Sequence, residues 1–412
     1  MQVHTYARNA SLCERAKRVV PGGVYGHQSA AQLPEGFPQF FARGQGSRVW
    51  DVDGNEYIDF MCAFGPIVLG HRHEAVERAV TEQQQLGTCF NGPTEYWVRL
   101  AELLVEITPH ADWAWFAKNG TDATTFAVMV ARAHTGKKYL LRARGSYHGS
   151  APWCTPKPAG VTPEDTANQR FFTYNDLESV QQAVAEVGDD LAAIIVTPFR
   201  HDAWFDQEEV DPAFAHGLRA ICDETGAVLI LDDVRAGFRI DLRGSWAPLG
   251  VAPDLSAYSK AIANGYPLAA VVGREVLRAA AQEVFATGSF WFAGGPMAAA
   301  IATIETLRAT NAIAHMERIG RLLREGLDAQ ARSYGLRIRQ SGPVQMPFLT
   351  FESDQAFERS FTFTAEAAKR GAYLHPWHNW FLSAAHTEED VETTLEITDI
   401  AFQIVRRVHG EG

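Results

Sequence analysis

One apolar run that ends in two acids limits what this chain can fold into. Residues 227–231 (AVLIL) are all aliphatic, and the length and composition of the run predict a strand buried on both faces of a sheet. Asp232 and Asp233 follow directly. In an open parallel sheet, ligands bind beyond the carboxyl ends of the strands. The pattern therefore predicts an α/β fold with Asp232 at the ligand-binding edge.

Strands and helices alternate along most of the chain. Further strands are predicted at 113–117, 138–142, 192–197 and 268–273, and helices at 74–86, 211–225 and 297–334, the last interrupted near Asn311. This alternation predicts a large α/β domain with a mostly parallel sheet at 63–310. A short helix and an antiparallel hairpin at Asp53-Gly54 predict an N-terminal segment at 1–62. Residues 311–412 are predicted to form a smaller α+β domain.

Composition favours a cytoplasmic enzyme that binds neither nucleic acid nor membranes. Asp and Glu number 49 against 37 Lys and Arg, which gives a formal charge of −12 and no basic surface for phosphates. The five cysteines are scattered without a C-x-x-C pair, as expected for reduced thiols. No apolar run approaches membrane-spanning length, and no secretion signal is predicted. His71 and His73 lack a third ligand at a useful spacing, so no metal site is predicted.

A lysine beyond the acidic strand favours one cofactor chemistry. Lys260 lies in the turn sequence SKAIANGYP, downstream of Asp232. A lysine can hold the aldehyde of pyridoxal phosphate (PLP) as an imine, and an acid can keep the pyridine nitrogen protonated as an electron sink. The pair therefore predicts a PLP enzyme in which Lys260 and Asp232 are catalytic.

Two other turns contain residues suited to such a cofactor. Gly120 and Thr121 stand at the start of a predicted helix, whose first amides and dipole favour a phosphate. A plain capped helix explains these residues equally well when they are taken alone. Tyr147, between small residues after a strand, can lie against a planar ring or simply pack in the core. Together with Asp232 and Lys260, the two turns favour cofactor binding.

Several motifs in the right order resemble the class III aminotransferases of PLP fold type I. They read GSRVWDVDGNEYIDF, GHRHEAV, NGTDA, SYHG, DDVRAGFR, SKAIANGYP and LSAAHTEEDVETTLE. The nearest branch is similar to the glutamate semialdehyde aminomutase group, and the resemblance covers nearly the whole chain. It implies the type I fold, PLP as cofactor, and a homodimer with the active site at the subunit interface.

The resemblance also implies roles for individual residues. Lys260 is the Schiff-base lysine and Asp232 the partner of the pyridine nitrogen. Tyr147 and Val234 lie on opposite faces of the ring, and Gly120 and Thr121 hold the phosphate. His148, in the same SYHG motif, is included among the cofactor-binding residues.

The chain departs from the family pattern at three points near the cofactor. Asp233 replaces the usual glutamate after the strand-ending acid, and Thr197 replaces the glutamate of a Glu-Pro pair. The partner-chain threonine that helps bind phosphate falls on Trp291 here. Ser289 is the predicted substitute, with Thr287 as the alternative.

Two departures concern the substrate, and one of them is that residues 376–380 (PWHNW) stand where the aminomutase branch has a glutamate before the AHT segment. The arginine that binds the substrate carboxylate in the aminomutase branch is absent after Pro21-Gly22-Gly23, where the chain reads VYGHQSA, and a lone histidine does not reproduce its geometry. The predicted pocket is instead aromatic and rich in histidine, although each aromatic residue also fits core packing. Its predicted members are Tyr25, His27, Trp204, Trp377, His378 and Trp380, and Arg200 and Arg235 are candidates for a donor carboxylate.

The sequence thus predicts a PLP-dependent aminotransferase that moves an amino group from an amine or amino acid to an aldehyde or ketone by a ping-pong mechanism. Glutamate semialdehyde is not the expected substrate. An aminomutase or racemase with the same PLP site is the alternative. A nucleotide-dependent α/β enzyme is disfavoured because no G-x-G-x-x-G or G-x-x-x-x-G-K-[ST] motif is present. A non-catalytic protein on this fold is disfavoured because Lys260 and Asp232 are both retained.

Overall fold

The computed structural model describes residues 4–410, which divide into two compact units. The first unit comprises residues 4–73, 203–206 and 314–410, and the second comprises 74–202 and 207–313. Both ends of the chain therefore contribute to one unit, and the middle forms the other. The three-part division at residues 62 and 310 stays a prediction.

The N-terminal elements belong to the first unit. They are helix α1 (Ala7–Val19) and strands β1 (Phe41–Gln45), β2 (Arg48–Asp51) and β3 (Glu56–Asp59). Strands β2 and β3 pair antiparallel, as the Asp53-Gly54 turn predicts. The Asp51 carboxylate accepts hydrogen bonds from the backbone N–H groups of Asp53 and Asn55, at 2.9 Å each, and these bonds fix the turn.

The second unit is built on a seven-stranded sheet. Its strands are β4 (Trp113–Ala117), β5 (Tyr139–Ala143), β6 (Gln169–Phe172), β7 (Leu191–Val196), β8 (Val228–Asp232), β9 (Leu255–Tyr258) and β10 (Ala269–Gly273). The strand order is β4-β10-β9-β8-β7-β5-β6. Only β10 runs antiparallel to its neighbours, so β4, β5, β7, β8 and β9 present their carboxyl ends at the same edge.

Helices cover both faces of this sheet. They are α2 (Glu74–Leu86), α3 (Tyr96–Ile107), α4 (Gly120–Thr135), α5 (Pro163–Thr166), α6 (Leu177–Val187), α7 (Pro212–Thr225), α8 (Arg278–Glu283) and α9 (Gly294–Ala309). Alternate residues of β8 serve the two faces: Ile230 packs in the core with α4, and Leu229 in the core with α6 and α7. The unbroken apolar composition of the central strand follows from this burial on both sides.

The C-terminal elements return to the first unit. They are α10 (Ala312–Ser333), β11 (Ile338–Ser341), β12 (Phe348–Phe351), α11 (Glu358–Ala368), β13 (Ala372–Tyr373) and α12 (Glu388–His409). Strand β13 pairs parallel with β3 and completes a four-stranded sheet in the order β1-β2-β3-β13. This unit mixes helices with antiparallel and parallel pairs, as predicted for a smaller α+β domain.

Candidate active site

Asp232 and His148 form a buried pair at the carboxyl edge of the large sheet. Asp232 is the last residue of β8, and His148 lies in the loop after β5. The Nδ1 atom of His148 is 2.7 Å from Oδ2 of Asp232, and both residues are buried. The other ring nitrogen of His148, Nε2, is buried without a hydrogen-bond partner in the described part of the chain. The pair fixes the Asp232 carboxylate and leaves a polar atom for a ligand.

Lys260 reaches the same edge from the neighbouring strand. Asp232 pairs in register with Ala257 of β9, and Lys260 follows that strand closely at the start of a short 3₁₀ helix. The φ angle of Lys260 is 48°, in the left-handed region, where a residue with a side chain is held at a cost of about 1–3 kcal/mol. Such local strain is typical of functional positions.

The surroundings of Lys260 favour its neutral amine. Burial, with the positive charges of Arg235 and Arg239 and against the opposing charge of Asp232, lowers the pKa of Lys260 to about 7. An amine with a pKa near neutrality can act as both nucleophile and base. Arg235 is itself buried, and burial lowers its pKa to about 10, although Tyr147 and Asp232 oppose the shift.

The start of helix α4 contains the predicted phosphate cradle. The Asn119 side chain caps the helix by accepting from the backbone N–H of Asp122 at 3.0 Å. A Cβ atom at Gly120 would lie 2.7 Å from Cγ1 of Val234, so only glycine allows this approach. The Thr121 hydroxyl accepts from the backbone N–H of Ser150 at 3.1 Å. These contacts bring the start of α4, Val234 and the loop after His148 together.

We expect Gly149→Ala to disrupt this cradle. Gly149 has a φ angle of 126°, and a Cβ atom there would lie 2.4 Å from the Thr121 hydroxyl. Strain and steric overlap together predict a loss of about 2–4 kcal/mol in the free energy of unfolding. Gly136→Ala is the matched control, because its φ is 68° with nothing within 4 Å of the new Cβ. Denaturant unfolding of the two apoproteins measures the difference, and equal losses would contradict the prediction.

The second acid of the motif, Asp233, has a separate role. Its carboxylate is fully buried and accepts from Ser245 Oγ at 2.5 Å and from the Ser245 backbone N–H at 2.8 Å. Burial nevertheless raises the pKa of Asp233 to about 7, since these hydrogen bonds only partly offset the desolvation. The residue therefore ties β8 to the 244–246 turn rather than facing the Lys260 centre.

The raised pKa of Asp233 makes the stability of the apoprotein depend on pH. The folded state holds a proton on this carboxyl up to about pH 7, whereas an unfolded Asp releases it near pH 4, so stability falls as pH rises between these values. Asp233→Asn has no carboxyl to titrate, so its stability should not fall in this way. The free energy of unfolding of the variant relative to wild type should therefore rise by up to about 4 kcal/mol between about pH 4 and 8. Thermal unfolding at both ends of this range measures it.

Asp190→Asn is the control for this pH prediction. Asp190 is exposed, and its hydrogen bond and ion pair with Lys138 lower its pKa. Its charge is therefore constant above about pH 5, and its variant should show no such trend. A stability difference between Asp233→Asn and wild type that stays constant with pH would contradict the raised pKa.

The two predicted substrate arginines differ in their surroundings. The Arg200 guanidinium lies 2.9 Å from the Glu208 carboxylate and 3.8 Å from that of Asp202, so it is already paired with acids. Arg235, by contrast, is buried close enough to Lys260 to lower its pKa. The structure therefore brings Arg235, and not the Arg200 ion pair, into the electrostatic surroundings of Lys260.

The remaining predicted substrate residues belong to the first unit, which does not contain Lys260. His27 lies near both Trp377 and His378, with ring centroids at 5.4 and 5.1 Å. Trp204 stacks on Trp377 with centroids 4.4 Å apart and ring planes at 10°. Trp380 is buried as well, whereas Tyr25 is 78% exposed. The structure groups His27, Trp204, Trp377 and His378, buries Trp380 and leaves Tyr25 exposed, and the role of these residues in substrate binding stays a prediction.

The predicted substitutes for the phosphate threonine, Ser289 and Thr287, are exposed in the loop between α8 and α9. The Cys89 thiol donates to the Ser289 carbonyl oxygen at 3.3 Å, which links this loop to the one after α2. Ser289 and Thr287 are thus accessible on the surface of the described chain.

His201 was not predicted as a site residue, yet it lies at this edge. It follows β7, the neighbour of β8, and is 5% exposed. The positive charges of Arg235 and Lys260 both act on it. The sequence signal available was its place after a buried strand that pairs beside the Asp232 strand.

Comparison with known proteins identifies the family. A family profile described as "Aminotransferase class-III" matches residues 30–397, which is most of the chain. The chain belongs to the class III aminotransferases. A curated relative, the aminopentol aminotransferase of Sphingopyxis macrogoltabida, is 49% identical over 400 residues, covering 97% of this chain and 95% of that protein. The glutamate-1-semialdehyde 2,1-aminomutase of Desulforamulus reducens is 34% identical, covering 97% of this chain and 98% of that protein.

Solved structures confirm the fold of this class III aminotransferase. The FumI protein of Sphingopyxis sp. MTA144, in its PLP internal aldimine form, superposes with a TM-score of 0.96 at 49% identity, covering 97% of both chains. These similarities confirm the predicted α/β type I fold, the PLP cofactor and the aminotransferase reaction. In the part of the chain that the structure describes, no helix is both long and apolar enough to cross a membrane.

The residues at the edge of the large sheet fit PLP. Because Gly120 has no side chain, the first backbone amides of α4 are open to a phosphate. His148 Nε2 is a buried polar atom without a hydrogen-bond partner in the described part of the chain. Lys260 supplies an amine whose pKa burial lowers to about 7, and Asp232 a fixed carboxylate. The phosphate of PLP thus has the amides of α4, its ring nitrogen has Asp232, and its aldehyde has Lys260, all at one edge of the sheet.

Proposed function

We propose that this aminotransferase transfers the amino group of a hydroxylated aliphatic amine to a carbonyl acceptor, with Lys260 as the catalytic base and Asp232 as the acid that tunes the cofactor. The observation that carries the proposal is the convergence of Lys260, Asp232 and the α4 N-terminus at one edge of the sheet. Ping-pong transfer follows when donor and acceptor use the same centre in turn.

Lys260 is proposed to hold the cofactor covalently and then to move the proton. PLP, when bound, supplies an electron sink that makes the hydrogen on the carbon beside the amine acidic. With a pKa near 7, the freed Lys260 amine can take that proton and return it one step later without strong bias. The left-handed backbone of Lys260 directs the amine.

Asp232 is proposed to present its carboxylate to the cofactor ring nitrogen. The His148 imidazole holds one carboxylate oxygen at 2.7 Å, and the Val234 backbone N–H donates to the other at 3.2 Å. Both contacts orient the carboxylate, and a negative charge at this point favours a protonated pyridine nitrogen. Tyr147 and Val234 are proposed to contact the two ring faces, and Gly120, Thr121 and the partner subunit's Ser289 to hold the phosphate.

The substrate proposal rests on what the chain lacks and on its relative. No arginine follows Pro21-Gly22-Gly23, and Arg200 is paired with Glu208, so a donor carboxylate has little to bind. The relative from Sphingopyxis macrogoltabida is an aminopentol aminotransferase, whose name denotes an amine with hydroxyls. The cluster of His27, Trp377 and His378 is an aromatic surface of the first unit that is proposed to bind substrate.

A matched substrate panel tests this function. Long-chain amino alcohols and α-amino acids of equal length are supplied as donors, with keto acids and aldehydes as acceptors, and the new amine is quantified by chromatography. We expect the amino alcohols to be the better donors by about 10-fold or more, since a carboxylate finds no dedicated partner. Product without any acceptor would instead indicate an aminomutase or racemase. A preference for α-amino acids would contradict the donor class.

We further propose a homodimer with the active site at the subunit interface. On the second unit, Leu86, Phe90, Phe285 and Phe290 are between 46% and 86% exposed, on two loops linked through Cys89 and Ser289. An apolar surface of this kind fits burial against a second copy. Light scattering on the purified enzyme should give twice the chain mass of 45.4 kDa, and a monomer would contradict the proposal.

A cytoplasmic location is also proposed, since no disulfide joins the cysteines in the described range.

A further inference from the structure

His201 stands on a rigid segment at the Lys260 edge of the sheet. The Tyr174 hydroxyl donates to the Thr197 carbonyl at 3.0 Å, and the Trp246 indole N–H donates to the Pro198 carbonyl at 3.1 Å. The backbone groups of Arg200 and Glu208 exchange two hydrogen bonds, at 2.8 and 3.0 Å. These contacts fix the chain that leads from β7 to His201, so its imidazole cannot easily move towards a new partner.

The His201 imidazole is buried with a nitrogen that lacks a partner. The residue is 5% exposed, and its ring packs edge-on against Phe199 with centroids 5.2 Å apart. Its Nδ1 atom makes no hydrogen bond to another described residue. A buried polar atom left without a partner costs about 1–3 kcal/mol, so its retention calls for a ligand that satisfies it.

Burial and the charges around His201 determine the protonation state in which its imidazole can bind a ligand. Burial is the main reason why the pKa of His201 lies well below its usual value. The positive charges of Arg235 and Lys260 act in the same direction, as does His148 more weakly, and a contact with the carbonyl of His201 itself opposes them. The imidazole is therefore neutral at physiological pH, with one donor and one acceptor nitrogen. A neutral hydroxyl can therefore hydrogen-bond the imidazole, whereas a carboxylate gains no electrostatic attraction from an uncharged ring.

We propose that His201 hydrogen-bonds a hydroxyl on the carbon next to the one that bears the reacting amine, and so selects vicinal amino alcohols as donors. The proposal rests on the proposed function, because it assigns one hydroxyl of the donor to one atom of this site. Strand order indicates which hydroxyl: His201 follows β7 and Lys260 follows β9, the two strands that flank the Asp232 strand β8, so His201 lies at the edge where the amine must reach Lys260 and is suited to a group close to that amine. More distant hydroxyls lie beyond its reach.

Two donors that differ by a single hydroxyl test the proposal. Octylamine and its analogue with a hydroxyl on the carbon beside the aminomethyl group are compared by kcat/KM, with one keto acid acceptor. The wild-type enzyme should prefer the amino alcohol by about 10- to 100-fold, because octylamine leaves the buried nitrogen unsatisfied. In His201→Ala the ratio should fall to about 1–3, and in His201→Asn, which keeps a donor and an acceptor, part of the preference should return.

Controls separate this role from a structural one. His216→Ala changes an exposed histidine on the same unit and should keep the wild-type ratio. A His201→Ala enzyme that loses activity equally on both donors, or whose bound cofactor absorbs at a shifted wavelength, would overturn the proposal in favour of a role through the cofactor. If His201→Ala does not fold, His201→Phe, whose ring has no polar atom, takes its place, and an unchanged ratio in that variant overturns the proposal. Failure of the wild-type enzyme to transaminate any amine would contradict the proposed function itself.

Discussion

Lys260→Ala is expected to abolish transamination almost completely. The variant removes both the amine that holds PLP and the base that moves the proton, so kcat should fall by about 10³-fold or more. Reduction with borohydride, which fixes PLP to the wild-type chain, should leave the variant unlabelled. Intact mass spectrometry of the reduced protein measures this directly. The fold should persist, because alanine and lysine pay a similar cost at a φ of 48°.

The stability of the variant provides an independent check. Because burial lowers the pKa of Lys260 to about 7, the folded state binds fewer protons than the unfolded state between about pH 7 and 10, and the wild-type apoprotein gains stability as pH rises through this range. Lys260→Ala removes this dependence. Lys138→Ala is the matched control, since its exposed ammonium pairs with Asp190 at 2.9 Å and lies in no site. Retention of wild-type turnover by Lys260→Ala would refute the assignment of the catalytic lysine.

Local pattern predicted the parts of the fold that depend on neighbouring residues in sequence. The apolar run at 227–231 corresponds to β8 (Val228–Asp232), and the helix predicted at 74–86 has the observed bounds Glu74–Leu86. Helix α6 was overlooked although its signal is clear: Asp176 caps it, and Val180, Ala183 and Val187 form its buried stripe. Strand β9 has only four residues, too few for periodicity to distinguish it from a loop.

Contacts between distant residues explain most of what the sequence did not reveal. His148 and Asp232 are 84 positions apart, and nothing local in either motif indicates that they share a hydrogen bond. The bond exists because β5, β7 and β8 are adjacent and parallel, which aligns the loops that follow them. His201 lies on the middle one of these three loops. Asp232 and Lys260 could be predicted from the sequence because their chemistry suits PLP. The order of the strands, which determines which residues lie beside them, has no local sequence signature.

The departure at Asp233 illustrates the same limit. From the sequence, an acid one methylene shorter than the family glutamate, directly beside Asp232, fits either a site residue or a structural one. The structure decides for the second, because both carboxylate oxygens accept from Ser245. Asp232 ends β8 and contacts His148, whereas Asp233 begins the following turn and accepts from Ser245, so the two acids of one motif enter different environments. This division makes Asp233 a control for Asp232.

Asp232→Asn is expected to have the second largest effect on turnover. The amide preserves the size of the side chain and can still contact His148, but it removes the negative charge proposed to keep the cofactor ring nitrogen protonated. The loss of that electrostatic stabilisation should lower kcat by about 10²- to 10⁴-fold. Single-turnover kinetics with the preferred amine, followed by cofactor absorbance, separates this effect from slow product release.

The neighbouring acid makes the Asp232 test specific. Asp233→Asn changes the same side chain one position along, in an equally buried setting, and should keep kcat within about 3-fold of wild type because Ser245, not the cofactor, is its partner. Equal losses in the two variants would point to a general disturbance of β8. Full activity in Asp232→Asn would show that the pyridine nitrogen needs no acid in this enzyme. A loss confined to Asp232→Asn, with PLP still bound, is the result that the His148–Asp232 geometry predicts.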